Sequence, residues 1–89
     1  MTPQEFVAKI VKLNTAVIES NADKANAVTI ASALAMLLGQ ARLASRLRET
    51  ELLDSVISDC KKYVQINVIY NKDAILACVD DVINGLLLD

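Results

Sequence analysis

The sequence contains no histidine and no tryptophan, and its aromatic residues are two tyrosines and one phenylalanine. Without histidine, the Ser–His and Cys–His pairs of nucleophilic catalysis cannot form. Cys60 and Cys78 are too few and too widely spaced for a zinc cluster or a disulfide framework, and we predict that both are reduced, buried thiols. The two glycines, Gly39 and Gly85, belong to no phosphate-binding loop. The sequence therefore predicts a protein that is not an enzyme and needs no metal, cofactor or small-molecule substrate.

The sequence also lacks a large excess of charge of either sign. Nine basic residues stand against eleven acidic residues, for a formal net charge of −2. This balance creates no general attraction for nucleic acid or anionic lipid, so we do not expect either as the main partner. The first residues show no basic segment followed by an apolar core and a cleavage site, so we predict no signal peptide and expect a cytoplasmic protein.

Apolar residues are abundant instead, at 54% of 89 residues. A chain of this length has a high surface-to-volume ratio and needs polar residues to cover its surface. We predict a single helical domain over residues 1–89 whose surplus apolar surface is covered by another protein surface.

The first helix has a clear start. Thr2, Pro3 and Glu5 combine a capping hydroxyl, a proline at the first helical position and a glutamate three residues after the cap. Apolar residues then follow with helical spacing until about Ser20. A second start signal, Ser-x-x-Asp, joins Ser20 to Asp23.

The second helix is predicted to be long and largely buried. No charged residue occurs from Ala25 to Ala41, a length at the lower limit for a membrane span, but alanine and polar residues in the run favour a buried helix over a membrane hairpin. We expect this helix to continue through Gly39 to Arg48 or Glu49. Small residues four apart allow close approach of a neighbouring helix. From the apolar surplus we predict a homodimer with either this helix, at Ala27, Ala31, Ala35 and Leu38, or the flank of the first helix at the interface.

Two further helices complete the prediction. Thr50 is a candidate cap for the third helix, and the β-branched segment 64–70 is assigned to it because no second strand exists to pair with that segment. Asn71 is predicted to cap the fourth helix, and Gly85 to stop it in a left-handed conformation. The fold class is therefore an all-α antiparallel bundle of about four helices.

Three arginines, Arg42, Arg46 and Arg48, form the most distinctive polar cluster. Arg42 and Arg46 are one helical turn apart, where like charges repel, so acidic neighbours are expected. Glu49 and Glu51 are candidates within the chain. The alternatives are an acidic partner protein and, with less support, nucleic-acid phosphates, since arginine binds carboxylate and phosphate in a bidentate manner.

The leading hypothesis is a homodimeric protein-interaction module: a regulatory, inhibitor, immunity or chaperone-like adaptor of the small kind that bacteria, phages or plasmids encode. One alternative is a nucleic-acid-associated regulatory protein that uses the segment Arg42–Arg48. Another is a membrane-associated helical hairpin built on residues 25–41.

Overall fold

The computed structural model describes residues 1–88, which form four α-helices and, within that range, no strand: α1 (Pro3–Ser20), α2 (Lys24–Arg46), α3 (Thr50–Asn67) and α4 (Lys72–Leu87). Connections of three or four residues make consecutive helices antiparallel. Helix α2 packs against all three other helices, and α4 also contacts α1 and α3. The prediction of an all-α bundle of about four antiparallel helices is confirmed.

The starts of α1 and α2 are set by side-chain caps. The Glu5 N–H donates to the Thr2 hydroxyl at 3.1 Å, and the Thr2 N–H donates to the Glu5 carboxylate at 3.4 Å, so the predicted capping box is present. The cap of α2 is Asp23, whose carboxylate accepts from the Asn26 N–H at 3.2 Å. Ser20 belongs to the end of α1 instead, because its hydroxyl donates to the Ala16 carbonyl at 2.6 Å.

Helix α2 continues through Gly39 as predicted but ends at Arg46, earlier than expected. Arg48 has a φ of 58°, in the left-handed region. The Arg48 N–H donates to the Ser45 carbonyl and the Glu49 N–H to the Ala44 carbonyl, which is the bonding pattern of a Schellman stop. Glycine usually occupies this left-handed position. Because arginine occupies it here, the sequence gives no signal that the helix ends.

The connections around α3 also differ from the prediction. Glu49, not Thr50, is at the N-cap position of α3, and it forms no side-chain capping bond. Residues 64–67 are helical as predicted, but Val68 is extended and buried, so the helical assignment of 68–70 is wrong. Asn71 does precede α4, yet its side chain caps nothing and donates to the Ser20 hydroxyl at 3.2 Å, which joins this connection to the end of α1.

Gly85 does not stop α4, which continues to Leu87. Neither glycine has a positive φ. A Cβ atom at Gly85 would lie 3.0 Å from the Met1 sulfur, so the missing side chain makes room for Met1 rather than for a turn. The predicted left-handed stop is therefore wrong, and the reason for glycine at this position is a tertiary contact.

The buried side chains of the described residues are all apolar, and each helix contributes to one continuous core. Helix α2 is the long apolar helix, as predicted, and supplies one buried stripe along its length: Ala27, Ile30, Ala31, Leu34, Leu38, Ala41 and Ala44. Leu13 and Val17 of α1 pack into the same core, as do four residues of α3 and five of α4.

The two helical glycines give a matched test of this packing. Nothing lies within 4 Å of a Cβ added at Gly39, so Gly39→Ala should raise the free energy of unfolding by about 0.5–1 kcal/mol through loss of unfolded-chain entropy. Gly85→Ala should stabilise less, because Met1 must move. Urea denaturation at one dilute protein concentration measures both. An equal or larger gain at Gly85 would contradict the packing described here.

Candidate functional site

The arginine cluster is divided by the structure. Arg42 is half-buried, and its guanidinium lies 5.3 Å from the centroid of the Phe6 ring. This cation–π contact links α2 to α1 and contributes stability of about 0.5–1 kcal/mol at partly exposed sites. Arg42 therefore has a structural role within the chain.

Arg46 and Arg48 lie exposed at the C-terminal end of α2. Arg48 also lines an open cleft of about 400 Å³ where α2 and α4 end and α3 begins. Within residues 1–88 neither arginine has a carboxylate partner, so the predicted pairing with Glu49 or Glu51 is not formed. Lysines, in contrast, do form ion pairs: the Lys9 ammonium lies 2.7 Å from the Asp81 carboxylate, and the Lys61 ammonium lies 3.7 Å from the Asp80 carboxylate.

The outward side of α2 is the most unusual surface. Between Lys24 and Arg42 no charged residue occurs, and two large apolar residues in that interval, Val28 and Met36, are 55% and 61% exposed. The other exposed positions there are Ala25 and the uncharged polar residues Asn26, Thr29, Ser32 and Gln40. Leu43 follows on the same side, 59% exposed. Nine residues, or about 180° of helical rotation, separate Leu43 from the buried Leu34. Large apolar side chains therefore occur on both opposite sides of this helix, and on the outward side they lie among uncharged polar residues.

Helix α3 provides the comparison within the same chain. Its exposed side carries charges of both signs throughout: Glu51, Asp54, Asp59, Lys61 and Lys62. This is the usual pattern of an amphipathic helix that packs on one side and faces water on the other. Helix α2 also packs on one side, but its water-exposed side carries no charged residue between Lys24 and Arg42.

Neighbouring helices extend the apolar surface. Between α2 and α3, Leu43, Leu47, Leu52 and Val56 line a shallow groove, in which Leu47 and Leu52 are about half exposed. On α1, Val7 and Val11 are more than half exposed one helical turn apart. We name as the α2 face the surface formed by the large exposed apolar side chains on α2 and at its junction with α3: Val28, Met36, Leu43, Leu47 and Leu52.

The predicted homodimer residues lie on the opposite side of α2. Ala27, Ala31 and Leu38 are at most 5% exposed and are covered by the chain's own helices. Ala35 alone is half-buried. A second copy cannot reach Ala27, Ala31 or Leu38 on the folded chain. The predicted homodimer contact at these three residues is therefore wrong. Their small-residue spacing serves packing inside the bundle.

By length and composition, α2 is the one helix in the described part of the chain that could cross a membrane. In the bundle, 39% of its most apolar 18-residue stretch is buried by the other helices. A core helix of a bundle has the same composition, so this feature alone does not distinguish a membrane span from a packed helix.

Comparison with known protein families, curated proteins and solved structures finds no match to this chain. Among residues 1–88, no three His, Cys, Asp or Glu side chains are grouped so that they could hold a metal ion. The α2 face and the two unpaired arginines are thus the surfaces on which a functional proposal can be based.

The two thiols are free but differ in environment: Cys60 is buried and Cys78 only half-buried. Burial disfavours the thiolate and raises the pKa of Cys60 to about 11, although the nearby Lys61 acts in the opposite direction. At pH 8 the thiolate fraction of Cys60 is therefore on the order of 0.1%.

This difference predicts two reaction rates with Ellman's reagent at pH 8. Cys78 should react in the folded protein, and Cys60 should react at an appreciable rate only after denaturation, because only the accessible thiolate attacks. Cys78→Ser should remove the fast phase and Cys60→Ala the slow one. Equal rates for both thiols in the native protein would show that Cys60 is not enclosed as described.

Proposed function

We propose that this protein is a non-enzymatic interaction module that self-associates and binds a partner protein. The observation that carries the proposal is the α2 face, where large apolar side chains are exposed on an uncharged helix surface. Removing apolar surface from water contributes about 25 cal/mol per Å². Contiguous exposed apolar surface with a polar rim is typical of protein–protein contacts.

The C-terminal end of α2 supports the second part of the proposal. Arg46 and Arg48 present guanidinium groups that no carboxylate of the described chain neutralises. Arginine forms bidentate hydrogen bonds with carboxylates, and it is common at interface sites that provide most of the binding energy. An acidic protein surface is the partner that this chemistry favours. Regulatory, inhibitor, immunity and adaptor roles all use such a contact.

The two alternatives have less structural support. A nucleic-acid-associated protein would need several phosphate contacts, whereas Arg42 is already stacked on Phe6 and two exposed arginines remain in the segment. A membrane hairpin built on α2 would have to remove Leu34 and Leu38 from the core that they share with the other helices. Protein binding requires neither change.

Self-association is tested by sedimentation equilibrium from about 1 to about 100 µM. A contact of standard size should keep the protein dimeric at micromolar concentration, at twice the 9.6 kDa mass of one chain. Light scattering on the same samples distinguishes a closed dimer from open-ended aggregation. A monomer throughout the series would contradict the proposal.

The acidic partner is tested by capture from the native cell. Wild-type protein and a Lys61→Ala/Lys62→Ala control should retain the same acidic protein, and Arg46→Ala/Arg48→Ala should lose it. The control removes the same charge from the exposed side of α3. If the arginine variant still captures the acidic protein, or if the lysine variant loses it equally, then the arginines are not its binding site.

A further inference from the structure

We infer that a second copy of this chain docks on the α2 face, with the two α2 helices antiparallel about a two-fold axis that passes close to Met36. The inference rests on the proposed self-association and adds its surface, its direction and its register. Four observations support it: the distribution of apolar side chains along α2, the open backbone near its middle, the charges at its two ends, and the available area.

The apolar side chains are placed almost symmetrically along the helix. Val28 lies eight residues before Met36, and Leu43 lies seven residues after it. In a two-fold contact the same patch serves both copies. An antiparallel arrangement about Met36 therefore brings Val28 of one copy opposite Leu43 of the other, twice. The flexible Met36 side chains meet at the axis, where methionine adapts readily to its neighbour.

The middle of the face can be approached closely. Ser32 is exposed beside Met36, and a Cβ atom added at Gly39 would meet nothing within 4 Å. Two helices approach to axial distances of 8–10 Å according to the size of the side chains between them. The small residues let the second α2 lie against the first, while Val28 and Leu43 fill the space toward the ends.

The charges at the ends of α2 select the antiparallel direction. Exposed Arg46 and Arg48 are at the C-terminal end, followed by exposed Glu49 and Glu51. At the other end, Glu19 in the last turn of α1 and Asp23 before α2 are exposed, next to Lys24, whose ammonium group donates to the Ile18 and Asn21 carbonyls. An antiparallel pair brings each arginine end to an acidic turn of the other copy, whereas a parallel pair brings arginines together. Complementary charges at the rim of an interface determine its register and direction.

The area that a stable contact needs determines how wide the contact must be. With 23 residues, α2 is about 34 Å long. The bundle is 25 Å across in its second dimension. A specific complex usually buries about 800 Å² per copy, so a contact along the whole of α2 must be about 24 Å wide and must include the flanks, Val11 on α1 and Leu52 on α3. Helix α2 alone would be too narrow, and the exposed flanks make up the difference.

Cysteine cross-linking tests the register, in a Cys78→Ser background that leaves the buried Cys60. Met36→Cys should form a disulfide-linked dimer under mild oxidation. Val28→Cys and Leu43→Cys should cross-link when mixed but not separately. Ile66→Cys, at an exposed site of α3 outside the face, is the control and should stay monomeric on the gel. Self-linkage of Val28→Cys alone would show a parallel pair and overturn the inference.

Charge introduction tests the surface. Leu43→Glu should raise the dimer dissociation constant at least a hundredfold, whereas Ile66→Glu should leave it unchanged; circular dichroism should show wild-type helix content for both. Arg46→Glu should weaken the dimer about tenfold, and Glu19→Arg in the same chain should restore it. Because both glutamate sites are exposed, loss of folding is not the expected cause of any effect.

The outcomes distinguish the two proposals. A wild-type monomer contradicts the proposed self-association itself. A wild-type dimer that survives Leu43→Glu keeps the proposed function and overturns the α2 face as its surface. A monomer that sediments with phosphatidylcholine–phosphatidylglycerol vesicles through Leu43 overturns the inference, because a lipid surface then occupies the face in place of a second copy.

Discussion

The structure depends on how α2 is packed. Its buried stripe, centred on Leu34 and Leu38, is the surface against which the other three helices are placed. In a bundle of four helices joined by three- or four-residue connections, the neighbours lie on one side of any helix. The outward side of α2 therefore faces water, where it presents the large apolar residues Val28 and Met36 among uncharged polar residues and no charge between Lys24 and Arg42.

Local signals predicted the local structure. The capping box of α1 needs only residues 2–5, and the sequence was sufficient for it. The predictions were wrong where a contact distant in sequence, or an unusual residue at a helix end, determines the local backbone structure. Gly85 is small because Met1 packs over it, and Val68 leaves the helix with its side chain in the core. Arg48 accepts a left-handed φ to close α2, and no glycine marks the place. In each case the deciding partner is distant in sequence or the usual residue is missing.

The candidate site was predicted in part for the same reason. Clustering identified Arg42, Arg46 and Arg48, but not that Phe6, thirty-six residues away, holds the first of them. The spacing of Ala27 and Ala31 indicated close helix packing but not which helix packs there. The structure shows that the chain's own helices cover both residues. The uncharged run 25–41 did carry the necessary signal. A helix without charge on any side must have an uncharged outer side, and only the structure shows which residues form it.

The two proposed contacts both use the arginine end of α2, Arg46 and Arg48, so they compete for it. If Arg46 contacts Glu19 of a second copy, it is not available to a carboxylate of an acidic partner at the same time. The partner then binds the separated chain more tightly than the dimer, and dimerisation weakens partner binding by the same factor, because coupling between two binding events is reciprocal. The core does not include the residues of the α2 face, so a separated chain loses none of its core contacts. Taken together, the two proposals therefore make binding of a second copy and binding of an acidic partner mutually exclusive.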